Sequence, residues 1–144
     1  MNSVLVVCIG NICRSPMGQI LLAHALPGVQ VNSAGTGALI GHPADPTAQE
    51  LMAQRGLDLS AHRARQLSPA LCQQADLILT MDEEQRRRVE SIYPLARGRV
   101  FRLGEAAKVN VPDPYRMGQA AFEHALELID AGVHAWTERI RKIQ

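Results

Sequence analysis

Val4-Leu5-Val6-Val7-Cys8-Ile9-Gly10-Asn11-Ile12-Cys13-Arg14-Ser15-Pro16 is the stretch from which the fold can be read. Val4–Val7 is a short aliphatic, mostly β-branched run, the composition of a strand buried on both faces. Ser15-Pro16 then opens a helix that the pattern carries to about Leu26, with proline at its first position. Between the two, Gly10 allows the backbone a tight path.

Outward from this unit the alternation continues. Val29–Asn32 reads as a second strand. Asp45-Pro46 opens a helix that stops near Gly56, and Ser68-Pro69 opens a short one. Asp76–Thr80 is a third strand. Asp82, with Gln85 three residues on, resembles a capping box for a helix reaching about Ser91. Arg99–Leu103 is a fourth strand. Phe122, Leu126, Ile129, Val133, Trp136 and Ile140 step by four and three, one apolar stripe of a long final helix that packs on the sheet. Strands alternating with helices predict an α/β fold. The expected form is a single domain over 1–144, an open sheet of about four parallel strands with helices on both faces. Ligands of such sheets bind beyond the carboxyl ends of the strands, so chemistry is expected in the loop after the first one.

Composition narrows the class. The chain has 144 residues, 47% hydrophobic and 20% charged, ordinary globular values for one domain. Only 3% are aromatic, which predicts an aliphatic core. A net charge of +1 gives no general grip on nucleic acid or on a membrane surface, and Arg86, Arg87 and Arg88 read as a solvated helix face. No apolar run approaches the ~18 residues of a membrane span, and the start lacks the basic segment and cleavage site of a signal peptide. Three cysteines, an odd number, do not form a secreted disulfide framework. A cytoplasmic location with reduced thiols is the expectation. The five histidines show no H-E-x-x-H pattern and no Cys/His pairing has zinc spacing, so no metal or other cofactor is expected.

Cys8 at a strand end, Arg14 six positions later and a helix start between them suit a tetrahedral oxyanion. Loop N–H groups and the helix N-terminus converge on one point, and the same positive field favours a thiolate placed there. Arg14 can offer a phosphate two parallel donors.

Cys8-x-Gly10-Asn11-x-Cys13-Arg14-Ser15-Pro16 resembles the active-site loop of the low-molecular-weight protein tyrosine phosphatases. Ser33-Ala34-Gly35-Thr36, His62–Leu67, Asp76–Asp82 and Asp113-Pro114-Tyr115 are similar to further blocks of that family, in order along nearly the whole chain. The resemblance implies a phosphotyrosine protein substrate and a two-step phosphoryl transfer without metal or nucleotide. Cys8 would attack phosphorus; Arg14 and the loop Ile9, Gly10, Asn11, Ile12, Cys13 and Ser15 would hold the phosphate; Asp113 would act as acid, then base. Asp113 also has a plainer reading as a helix N-cap. Ser15 would hydrogen-bond Cys8, besides capping the helix behind Pro16. Asn11, which tolerates positive φ, would hold the loop, tied by Ser33 and His62. Tyr115 would line one wall of a ring slot and the loop Thr36–His42, with Leu39 and Ile40, the other. Aliphatic residues there resemble bacterial members associated with exopolysaccharide or capsule clusters, which implies an autophosphorylating bacterial tyrosine kinase as partner. Cys13 would be a redox partner of Cys8 or a small buried filler; Cys72 reads as core. No oligomeric state is implied.

Two other activities use related loops. Thioredoxin-coupled arsenate reductases need cysteines after the third strand, where this chain has Thr80-Met81-Asp82-Glu83-Glu84-Gln85. Phosphocysteine carriers of sugar transport lack the arginine and the late acid.

Overall fold

Ser3–Cys8 forms the central strand β1 of a computed structural model that describes residues 1–144. The elements that follow are α1 (Arg14–Ala25), β2 (Gln30–Gly35), α2 (Pro46–Ala53), α3 (Pro69–Gln74), β3 (Leu77–Thr80), α4 (Glu83–Ile92), β4 (Val100–Arg102) and α5 (Gln119–Lys142). The four strands lie in the order β2-β1-β3-β4 and every pairing is parallel. No helix is long and apolar enough to cross a membrane.

Side chains of a strand alternate between faces, and β1 feeds two cores by that rule. Val4, Val6 and Cys8 join Met17 and Leu22 of α1, Met52 of α2 and the α5 stripe on one face. Leu5 and Val7 join Cys72 of α3, Val89 of α4 and Ile78 on the other. Val4, Val6 and Val7 are wholly buried, each contributing on the order of 1.5–3 kcal/mol of burial. All six stripe residues of α5 are buried against this sheet face and α1, as the periodicity predicts. Cys72 is wholly buried, as expected.

Local details differ from the sequence reading. The first helix begins at Arg14, so Pro16 is its third residue, and Cys13 occupies the N-cap with no side-chain cap hydrogen bond. β2 runs on to Gly35 because its end pairs with the last residue of β1, Cys8↔Gly35. Asp82 caps α4 by accepting from Gln85 N at 2.8 Å, but the Gln85 side chain does not reach back to the Asp82 backbone N–H. Arg87 and Arg88 are exposed as expected; Arg86 is half-buried, near Glu83 and over the Phe101 ring.

Candidate active site

The loop Ile9–Cys13 leaves β1 and enters α1 with its carbonyls turned outward. Cys8 O accepts from Thr36 N (3.0 Å), Ile9 O from Gly37 N (3.0 Å), Gly10 O from Leu39 N (3.1 Å) and Ile12 O from Asp45 N (2.9 Å). Asn11 O faces His62 Nε2 at 2.7 Å. In a trans peptide the following N–H points opposite to its carbonyl. The N–H groups of residues 9 to 13 are therefore turned to the inside of the loop, and Asn11 N reaches Cys8 Sγ at 3.3 Å. The uncapped first turn of α1 adds its own free N–H groups. The result is a ring of donors around one sulfur.

The turn is made at Asn11, which has φ 60°, while Gly10 keeps an ordinary φ. A Cβ at Gly10 would meet only ordinary contacts with Ile12 and Leu39. Asn11 is wholly buried and its side chain is fully used. Nδ2 donates to Ser15 Oγ (2.7 Å) and Ser33 Oγ (3.0 Å), and Oδ1 accepts from Arg65 N (2.9 Å). Ser33 Oγ donates in turn to Gln19 Oε1 at 2.6 Å. These bonds hold a left-handed conformation that few residues adopt. Gly35 is required on the far side, since a Cβ there would collide with Ile9 O and crowd Asn11.

Ser15 Oγ lies 2.9 Å from Cys8 Sγ. Its oxygen accepts from Asn11, so its own hydrogen is directed to the sulfur. Ser15 sits inside α1 and does not cap it, unlike the capping part of the sequence reading. His62 is half-buried; burial, its largest perturbation, lowers its pKa, and the nearby Arg63 and Arg65 act in the same sense against the raising effect of the Asn11 carbonyl. The neutral ring therefore carries its proton on Nε2, where it donates to Asn11 O. Burial, with Asp45, Cys8 and Asp113 nearby, pushes the Cys13 thiol up strongly.

Arg14 is 2% exposed. Nη1 donates to Val111 O at 2.8 Å and Nη2 lies 3.8 Å from Asp113 Oδ2. Nε is buried without a protein partner, a donor free to meet an anion in the cleft. Asp113 is about half exposed and belongs to the loop before α5. Val111 N anchors that loop on Met81 O at 2.8 Å, so Arg14 and the end of β3 together position the Asp113 segment. Asp113 is not the N-cap of α5; Gly118 is, and Asp113 Oδ1 accepts instead from Tyr115 N at 3.1 Å.

A cleft of about 160 Å³ is lined by Cys8, Ile9, Gly10, Ile12, Cys13, Arg14, Gly37, Leu39, Asp113 and Tyr115. Leu39 and Tyr115 line this cleft; Ile40, 69% exposed, is outside its lining. Gln66 props the Leu39 wall, donating to Thr36 O and accepting from Ala38 N. Sequence reasoning missed Gln19, Arg65 and the Val111 carbonyl. None carries a local signal, since each acts through a partner distant in sequence.

The model of the low molecular weight phosphotyrosine protein phosphatase family matches residues 3–144. A probable low molecular weight protein-tyrosine-phosphatase EpsP of Ralstonia nicotianae is 56% identical, over 99% of this chain and 98% of that protein. Wzb of Escherichia coli K12, a protein of the same description, is 41% identical over 99% and 98%. Among solved structures, Vibrio vulnificus Wzb in complex with benzylphosphonate superimposes with a TM-score of 0.93 at 43% identity, covering 96% of this chain and 98% of that one. The matched residues include the whole Cys8–Ser15 loop and Asp113, and the protein belongs to the low molecular weight protein-tyrosine-phosphatases.

Proposed function

We propose that this phosphatase hydrolyses protein phosphotyrosine through a cysteinyl-phosphate. The Cys8 thiolate attacks phosphorus as the ester bond to the tyrosine oxygen breaks. Asp113 gives its proton to the departing phenolate oxygen. Water then attacks the cysteinyl-phosphate, Asp113 takes its proton, and the thiolate leaves phosphate behind. The inward amides and the Arg14 guanidinium hold the phosphoryl oxygens throughout. The observation that carries the reading is the outward bonding of successive carbonyls from Cys8 to Ile12, which turns the following N–H groups to the inside of the loop, with Asn11 N on the Cys8 sulfur. Ser15 Oγ and Asn11 N hold the Cys8 sulfur from two sides, in position for attack.

Leu39 and Tyr115 flank the cleft and suit a planar ring, in keeping with the benzylphosphonate bound by the Vibrio protein. The names EpsP and Wzb and the aliphatic Leu39 support a target among tyrosine-phosphorylated proteins of polysaccharide export, an autophosphorylating kinase first among them. A cysteine nucleophile beside free Cys13 and Cys72 suits a reducing cytoplasm. Cys13 lines the same cleft, and we read it as the redox partner of Cys8. Cys72 lies in the core on the opposite sheet face and is excluded from such an exchange.

The test is hydrolysis of a phosphotyrosine peptide beside a phosphoserine peptide, with EDTA present and Cys8→Ser as control. Turnover of phosphotyrosine alone, abolished in Cys8→Ser with phosphate binding kept, is expected. Residual hydrolysis of wild-type magnitude in the variant would remove Cys8 as the nucleophile.

A further inference from the structure

Gln85 is a buried amide, 4% exposed, in the first turn of α4, on the sheet face that α1 does not cover. Its backbone N–H is held by Asp82, which fixes the direction in which the side chain leaves the helix. A buried amide requires partners for both ends. Oxygen and nitrogen are assigned here from the groups around them. With the nitrogen toward Val7 and the oxygen toward Arg14, it donates to Val7 O at 3.2 Å and accepts from Arg14 Nη2 at 3.3 Å. The reverse orientation sets two acceptors and two donors against each other at those points. Its own contacts, to Met81 N (3.3 Å) and Asp82 Oδ2 (3.4 Å), leave the Val7 carbonyl and Arg14 Nη2 facing like groups.

The consequence lies in how a planar guanidinium is held. Val111 O fixes Nη1, and one hydrogen bond leaves the plane free to turn about it. A second acceptor on Nη2 fixes the plane. Nε–H and the remaining Nη2–H then form a side-on fork that faces the cleft, Nε being the buried donor without a protein partner. Released from Gln85, Nη2 would be free to close the 3.8 Å gap to Asp113 and occupy the acid. The amide is also neutral: a carboxylate at this point would cancel the arginine charge beneath a phosphate dianion. Val7 directly precedes Cys8, so the same side chain ties the strand carrying the nucleophile to the group that grips the phosphate.

We propose that Gln85 is the positioning residue for Arg14, bridging the end of β1 to the guanidinium so that its fork is presented to the phosphoryl group. This rests on the phosphatase reading of the site for its kinetic part, and on phosphate binding alone for the rest.

The experiment measures kcat/KM on a phosphotyrosine peptide, and the protection of Cys8 against iodoacetamide by inorganic phosphate. The proteins compared are wild type, Gln85→Met, Arg14→Lys and the double variant. Gln85→Met is expected to lower kcat/KM about tenfold to hundredfold, the range of a hydrogen bond to a charged group. Phosphate protection weakens by a similar factor, while the alkylation rate without phosphate stays at the wild-type value because Ser15 and Asn11 are untouched. In the Arg14→Lys background, where no fork exists to orient, Gln85→Met is expected to add nothing. Wild-type phosphate protection in Gln85→Met, or its full loss repeated on top of Arg14→Lys, would overturn the assignment. Should Gln85→Met not fold, Gln85→Asn keeps an amide one methylene short of Nη2 and must show the same weakened protection; wild-type protection there overturns the proposal equally. A wild type that binds phosphate in a Gln85-dependent way but cleaves no phosphotyrosine would remove the phosphatase reading and leave the positioning role standing.

Discussion

Replacing Asn11 by alanine removes three side-chain hydrogen bonds at once, to Ser15, Ser33 and Arg65 N, from a wholly buried position. At about 1 kcal/mol net for each, the bonds account for roughly 3 kcal/mol. The backbone adds to this. Asn11 sits at φ 60°, where alanine is strained by about 1 kcal/mol relative to glycine. Asn11→Ala is therefore expected to lose roughly 3–4 kcal/mol of stability, and Asn11→Gly about 1 kcal/mol less because only the hydrogen bonds are gone. Catalysis suffers separately. Without Nδ2 the Ser15 hydroxyl is no longer directed to Cys8, and displacement of a nucleophile-binding loop costs about 10²-fold in rate. Urea unfolding followed by the single tryptophan, Trp136, gives the stability of all three proteins, and nitrophenyl phosphate gives the rates. An Asn11→Ala protein within 1 kcal/mol of wild type, or one as stable as Asn11→Gly, would refute the argument that this residue holds the loop against its own backbone.

Asp113→Ala is expected to slow substrates with poor leaving groups by about 10²–10⁴-fold and nitrophenyl phosphate by much less; equal losses on both would rule out a general acid. Mild peroxide is expected to oxidise the Cys8 thiolate to the sulfenic acid, and attack by Cys13 to form the disulfide with loss of water, reversed by dithiothreitol. Because burial holds the Cys13 thiol protonated, disulfide closure should accelerate as pH rises; reversible protection that persists in Cys13→Ala would break the pairing. His62 has its pKa lowered in the folded protein, so its contribution to stability is full above the unfolded value of about 6.5 and is lost as pH falls from there through the folded value. The slope of unfolding free energy against pH below about 6.5 should flatten in His62→Gln, and an unchanged slope would place the titration elsewhere.

Much of this molecule is written in local pattern. Val4–Val7, the Pro-opened helices and the α5 stripe each state their own element, because burial on one face or two imposes a period that needs no knowledge of the partner. The loop from Cys8 to Ser15 is likewise contiguous, so its chemistry is legible in order, and the left-handed turn falls on Asn11, the residue type suited to it. Ser33 and His62 follow from the resemblance; what tertiary structure alone decided is the rest of the frame, with Arg65 N and Gln19 behind the loop and Val111 O on its arginine. Ser15 reads as both a partner of Cys8 and a cap until Asn11 is seen to donate to its oxygen, which leaves the hydroxyl hydrogen for Cys8 and none of it for a cap. Asp113 keeps a second reading as a cap until Gly118 takes that position. Gln85 reads as half of a capping box until the parallel pairing of β3 beside β1 sets the start of α4 under Arg14. Ile40 belongs on paper with Leu39, yet the turn directs only one of them into the cleft lining. Hydrogen bonds between residues tens of positions apart depend on sheet order and register, and single-residue propensities carry no information about either.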